Sequence, residues 1–444
     1  MNKILLLFIL SASINFSNAQ WLVQNSGFPE PSRGINQICI VDQNIAWASG
    51  YDGSGNAVIA QDFTRTLDGG DSWQAGSISS APSDYEWSCL AAVDKNTAWA
   101  ALYNSTTNVG GGVYKTADGG STWTEQGAGS IFIGATSFPD VIYFWDENIG
   151  VVVGDPVNNE YEIYTTSDGG LNWKPVDVAN IPAPLTGEYA YTRMLGVGKD
   201  GVIWFGTNKG RVYKSKDKGF TWGVYQSLAS DVQALAVKDV NTSWVRRTTK
   251  MYQTNDGGTT WSQVLPASGH FFKNAIAYVP YTVNTLVSTG SNFSTGDYGS
   301  SYSLDGGLNW VTIDSAIQHL SVSFYNNVVG WAGGFNIDEF TDGISKYDGG
   351  FIATGIEAID PSVKFNLYPN PSNGLFYFSF DAGNNAPIQL KVTDITGKLI
   401  FSKTYADKSQ TWLRSFDLRN FGKGIYFLEV ENNGQHFSNK LVIN

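Results

Sequence analysis

The stretch Thr66-Leu67-Asp68-Gly69-Gly70-Asp71-Ser72-Trp73 decides how this chain folds. Its pattern, Ser/Thr-x-Asp-x-Gly-x-polar-Trp, returns five more times, ending at Trp123, Trp173, Trp222, Trp261 and Trp310. The steps between these tryptophans are 50, 50, 49, 39 and 49 residues, a period that means a stacked or radial repeat. Each copy has the chemistry of a tight turn. The carboxylate and hydroxyl can bond backbone groups that the turn leaves unpaired. The second glycine sits where a positive φ is needed, and the tryptophan starts a strand and buries its ring between sheets. Asp68, Asp118, Asp168, Asp217, Asp256 and Asp305 are therefore read as structural turn residues rather than as ligands of calcium or sugar.

A second element precedes each turn by about 25 residues. Asp42 to Trp47, Asp94 to Trp99 and Asp239 to Trp244 are clear copies, and Asp146 to Val151 and Asn326 to Trp331 are looser ones. Lys199 to Trp204 and Val283 to Val287 fill the remaining slots, and each reads as strand, turn, strand. Seven such units face only six turn motifs. The seventh reaches Ser345-Lys-Tyr-Asp348-Gly-Gly350 and then lacks its Trp strand, which Trp21-Leu-Val-Gln-Asn-Ser-Gly27 can supply. An N-terminal strand completing the last unit would close a ring and remove its exposed edges. Only 15% of residues are charged and 14% are aromatic, with 49 glycines and 15 tryptophans, the composition of an all-β protein. The expected fold is a seven-bladed β-propeller over residues 20–353, closed by its N-terminal strand, at about 48 residues per blade.

These Asp boxes, Trp-Ala strands and Trp-led closing strand resemble the bacterial neuraminidase-repeat (BNR) propellers. Within them the arrangement is most similar to photosystem II stability and assembly factor-like propellers. The resemblance is specific for fold and weak for function, since the repeats are turn chemistry.

Beyond Gly355 the repeat stops. Residues 354–362 read as a linker and 363–444 as a second, small immunoglobulin-like β-sandwich. Tyr368-Pro-Asn-Pro371, Thr396-Gly-Lys398, Lys423-Gly-Ile-Tyr426 and the terminal Lys440-Leu-Val-Ile resemble the type A sorting domain of the type IX secretion system of Bacteroidetes. That resemblance implies export across the outer membrane by the type IX machinery, followed by release or surface attachment. The front of the chain agrees with export. Lys3, the apolar run Ile4 to Leu10 and Ser17-Asn-Ala19 read as a signal peptide over residues 1–19. No other stretch is long and apolar enough for a transmembrane segment.

Cys39 and Cys89 are too few for a disulfide scaffold and too far apart in sequence for a cysteine metal site. They fall near equivalent places in neighbouring repeats, which leaves open two buried thiols or one bridge. Net charge is −12, yet residues 363–444 hold nine Lys/Arg against six Asp/Glu and the leader holds one Lys, so the propeller carries −16. Such a surface repels phosphate backbones and excludes nucleic acid as the expected partner.

The chain carries few catalytic signatures. Gly196-Val-Gly-Lys-Asp-Gly201 fits G-x-G-x-x-G but leads into a strand, so it reads as a turn. His270, His319 and His436 lie far apart, and neither a metal nor a cofactor is expected. Topology still locates a site. Loops entering the innermost strands, and those joining second to third strands, share one face, opposite the Asp boxes. The first set brings Arg33, Trp87, Asp140, Tyr191, Arg193, His270, Phe272, Lys273 and His319 near the axis. The second places Tyr51, Asp52, Asp155, Arg246, Arg247, Phe335 and Asp338 around them, with long loops near Asn292 to Tyr298 and Phe335 to Asp342. Basic, aromatic and acidic groups converging on a concavity make it the default ligand site.

The expected function is a secreted or surface-attached binding propeller that engages a protein or glycan through this axial face. The alternative is a secreted glycoside hydrolase, sialidase-like or polysaccharide-cleaving, using carboxylates such as Asp140 and Asp155 on the same face. Arg33, Arg193 and Arg246 would be the sialidase arginines, but Arg33 lies in Ser-Arg-Gly-Ile rather than in Phe/Tyr-Arg-Ile-Pro, and seven blades exceed the usual six.

Overall fold

A computed structural model describes residues 20–351 and 364–444, apart from residues 57, 135, 199, 382–387, 395–397, 406–411 and 433–434. The predicted leader, linker and the turns at Thr396-Gly397 and Asn433-Gly434 lie outside the described residues. Contacts divide the chain into two compact units, Met1–Ala353 and Thr354–Asn444.

The first unit is a seven-bladed propeller. Blades one to six run through the chain as four-stranded antiparallel meanders, starting at Arg33–Ile40, Tyr85–Ala92, Pro139–Phe144, Ala190–Val197, Ala234–Val237 and Ala275–Tyr278. Blade seven takes Ser321–Phe324, Gly330–Asp338 and Thr341–Asp348 from late in the chain and its outer strand, Gln20–Asn25, from the beginning. That strand pairs antiparallel with Thr341–Asp348, Trp21 opposite Tyr347 and Asn25 opposite Gly343. Gly34 opposite Phe335 then joins the last blade to the first.

The repeat turn does what its residue types predict. Thr66 Oγ1 donates to Asp68 Oδ1 at 2.8 Å and accepts from Gly70 N at 2.8 Å. Asp68 accepts in turn from Ser72 N at 2.9 Å and Ser72 Oγ at 2.6 Å. Gly69 and Gly70 both have positive φ, 72° and 92°. In blade four Lys218 holds the first of these positions at φ 63°. The second repeated element explains itself here too. Asp42 Oδ1 accepts from Asn44 N and Ile45 N, and the Asn44 carbonyl accepts from Gly69 N of the turn motif in its own blade. Second-strand tryptophans Trp47, Trp99, Trp204, Trp244 and Trp331 are fully buried between blades.

The closing strand is fixed by a buried network. Trp21 Nε1 donates to Ser300 Oγ at 2.7 Å, Ser300 donates to Asp314 Oδ2 at 2.5 Å, and His319 Nε2 lies 3.0 Å from that same oxygen. The Trp21 and His319 rings are in contact at 5.5 Å. A serine, an aspartate and a histidine meet here, but both partners bond the aspartate, so no base activates the hydroxyl.

The C-terminal unit is a sandwich of a three-stranded and a four-stranded antiparallel sheet. Phe376, Phe378, Leu390, Val392, Phe416, Leu428, Val430 and Leu441 form its core. The Tyr-Pro-Asn-Pro motif anchors the end of the chain. Its Asn370 donates to the Lys440 carbonyl at 2.6 Å and accepts from Val442 N at 2.9 Å, tying the final strand in place.

Candidate functional site

Irregular strand pairing shapes the axial face. The innermost strands of blades one to four lose register near that end, between Ile35 and Gln37, Trp87 and Cys89, Pro139 and Val141, and Ala190 and Leu195. Bulges re-aim side chains, and here they set up Asp140 and Arg193. Arg193 has a left-handed backbone, φ 62°, which a branched or bulky residue rarely adopts without purpose. Its guanidinium reaches from blade four to the Trp87 carbonyl of blade two at 3.0 Å, across the mouth of the ring. Tyr51, Glu86 and Tyr103 are its charged and phenolic neighbours, and burial pulls its pKa down. Tyr103 donates to Glu86 at 3.3 Å, while Tyr51 packs against Phe335.

Blade three presents Asp140 and Asp155, each at a register shift. The two carboxyl groups lie beside each other, next to the Ala190 backbone at the start of blade four. Two carboxylates can only accept, so a bond between them needs a shared proton, and two charges this close disfavour each other. Asp140 Oδ2 and Asp155 Oδ1 have no N–H or O–H donor among the described residues. Burial, then the charge of its partner, raises Asp140 well above the usual carboxylate range, and burial lifts Asp155 to about 6. A glycosidase needs its carboxyls about 5–9 Å apart with a sugar between them. Asp140 is 1% exposed and lies out of reach of a sugar, so its placement does not suit that reaction.

The pair makes a pH prediction. Its folded pKa values are raised, so its contribution to stability is present below about pH 4 and is lost as pH rises through about 6 and beyond. Asp140→Asn supplies a permanent donor to Asp155. It should leave melting near pH 4 little changed and stabilise the propeller at pH 8, because the group whose pKa burial raises no longer has to ionise. Melting curves from pH 4 to 8 check this, and parallel curves for the two proteins would show that no proton is shared.

The remaining expected residues separate into exposed groups and wall residues. Arg33 is buried inside blade one, 2.8 Å from Asp62 and 3.6 Å from Asp52. Trp87 is buried between blades one and two, donating to the Asp62 carbonyl at 3.0 Å. Phe272 is buried against Gly290 and Gly299, and His319 is buried in the closure network. These four are structural walls in this conformation. Lys273 is partly exposed, 3.7 Å from Asp297, and His270 is exposed, 3.6 Å from the same carboxylate. Tyr191 donates to Asp231 at 2.8 Å. Arg246 is 4% exposed and bonds only backbone carbonyls, of Thr248, Gln233 and Asn274, and its Nε has no acceptor. Burial lowers its pKa, and no carboxylate comes within ion-pair distance of Arg193 or Arg246 among the described residues. Asp231, Gln233 and Tyr189 belong to the same surface and were not anticipated. Their signal was the i, i+2 pairing of Tyr189 with Tyr191 and of Asp231 with Gln233 just ahead of inner strands.

A cleft of about 230 Å³ opens at the rim of this face, lined by Asn158, Asn159, Glu160, Tyr161, Val178 and Ile181, and the basic groups are not part of it. Among the described residues no three His, Cys, Asp or Glu side chains form a metal-binding group, and no helix is long and apolar enough to cross a membrane. Cys39 and Cys89 are both free thiols.

No curated protein matches this chain. Its fold matches solved propellers. YCF48 bound to D1 peptide has a TM-score of 0.53 at 17% identity, covering 76% of this chain and 99% of that one. YCF48 from Cyanidioschyzon merolae gives 0.53 at 14%, covering 75% and 99%. PorZ, a surface component of the type-IX secretion system of Porphyromonas gingivalis, gives 0.49 at 14%, covering 94% of this chain and 60% of its own. At these identities the likeness shows the fold alone. Residues 366–444 match the family described as Secretion system C-terminal sorting domain. The chain is a seven-bladed propeller carrying a type IX sorting domain at its C-terminus, and it is exported, to be secreted or held at the cell surface.

Proposed function

We propose that this chain is an exported binding propeller that engages a protein or glycan through its axial face. One observation carries the reading: Arg246, buried, and Arg193, half-buried, bring two guanidinium groups to that face with no ion-pair partner among the described residues. A buried cation is costly unless something compensates it, and a bound acceptor would do so. Around them, hairpin tips expose apolar side chains suited to contact, with Phe293 56%, Ile337 63% and Phe340 76% exposed. YCF48, similar in fold, is seen with a peptide bound.

The test is capture of ligands by the full chain, in pull-downs and on glycan arrays, compared with Arg193→Gln and Tyr51→Ala. Both variants should melt near the parent and lose the captured ligand. Unchanged capture by both would place binding elsewhere. Robust sugar hydrolysis abolished by one carboxylate substitution would replace the binding reading with the hydrolase.

A further inference from the structure

We infer that the sector of the axial face built by blades four, five and six binds an anionic, carboxylate-bearing polysaccharide, a conclusion that rests on the axial face being the binding face. Arg247, Lys250 and Lys273 take the carboxylates above the buried Arg246, and Tyr189 offers a ring to the sugars.

The first support is a charge arrangement that the fold does not repay. Arg247 and Lys250 face each other directly across the hairpin of blade five. Like charges in that position destabilise a strand pair, and both side chains are exposed. Beside them Arg246 is buried with its Nε unpartnered. The carboxylates nearest in influence, Asp297 and Asp231, are committed elsewhere. Asp231 accepts from Tyr191 and Gln233, and Asp297 accepts from the Lys273 backbone and faces His270 and Lys273 Nζ. In a chain of net charge −12, this is a local excess of positive charge with the Arg247 guanidinium exposed. Such a group suits a carboxylate, which can accept two parallel bonds.

The second support is the polar shelf around those cations. A continuous series of hydrogen bonds crosses three blades. Tyr191 bonds Asp231, Asp231 bonds Gln233, Gln233 accepts from Thr248 N, and Arg246 reaches the Asn274 carbonyl of blade six. Gln233, Thr248 and Asn274 are exposed. Amide and hydroxyl groups in a row match a ligand rich in hydroxyls. Tyr189 is 43% exposed and held edge-on by Tyr191 at 5.4 Å, a fixed ring with a free face. Of the strongly apolar tips, Ile337 and Phe340 stand on the hairpin of blade seven, and Phe293 flanks the shelf on the hairpin of blade six. The shelf itself therefore favours a sugar polymer over a peptide with apolar side chains.

The experiment is titration of the full chain with de-esterified polygalacturonate, its methyl-esterified form and poly-L-glutamate. The double charge reversal Arg247→Glu, Lys250→Glu and the single Tyr189→Ala serve as variants. Their side chains are exposed, and melting curves confirm that each variant is folded. Polygalacturonate should bind, weaken as salt rises, and weaken by about tenfold or more in the charge reversal. Tyr189→Ala should weaken it as well, and the methyl ester should not bind. Equal affinity for the ester, or unchanged affinity in the charge reversal, overturns the inference. Binding of poly-L-glutamate without polygalacturonate overturns it in favour of an acidic peptide. If none of the three polymers binds while Arg193→Gln still abolishes capture of another ligand, this inference falls and the axial-face reading stands. If that capture also proves independent of Arg193, both fall.

Discussion

Deleting Gln20–Asn25 is expected to cost the propeller about 5 kcal/mol or more, far beyond an ordinary terminal trim. The strand contributes Trp21, which is 8% exposed and packs on His319, Phe324 and Tyr347. Its loss would also leave Ser300 without the indole donor, and the backbone of Thr341–Asp348 without its partner strand. An unpaired edge of that length is also a template for aggregation. Trp21→Ala alone should cost about 3–5 kcal/mol, the usual range for a large buried aromatic. Denaturant titration of the parent and both variants measures this. A truncated protein that unfolds at the parental midpoint would mean the ring is not held by its N-terminal strand.

The second large effect concerns destination rather than stability. Removing residues 363–444 takes away the sorting domain and none of the propeller's core, since the two units pack around separate clusters. In a cell with the matching machinery, the truncated chain should be missing from the medium and outer surface and accumulate, folded, in the periplasm. Fractionation with limited proteolysis reads both properties. Normal amounts outside the cell would contradict export through the tail. Aggregated protein inside would show that the tail supports the propeller's folding.

The fold was legible because its repeat is turn chemistry written in a few residue types. Thr66, Asp68, Gly70 and Trp73 each have one geometric role, and the missing seventh turn motif pointed straight at Trp21. Which loops share a face was legible for the same reason: blade topology alone fixes it. Which side chains would be free on that face was not. Arg33 and Arg193 look alike in sequence, yet Arg33 meets Asp62 in its own blade while Arg193 crosses to blade two. Trp87 and Phe272 read as exposed loop aromatics but pack inward. At Trp87 a bulge shifts the alternation of the strand by one, and Phe272 fills the space over Gly290 and Gly299. The juxtaposition of Asp140 and Asp155 was equally hidden. It depends on two register shifts that leave no mark in the residue pattern.

The central claim is that this protein binds through the axial face and that the repeat turns only build it. Amide hydrogen exchange of the full chain, with and without a captured ligand, tests that directly. The account predicts protection at Ala190–Arg193, Arg246–Lys250 and Asn292–Asp297, with exchange unchanged at the turns around Asp68, Asp118, Asp168, Asp217, Asp256 and Asp305. Protection confined to those six turns would contradict it.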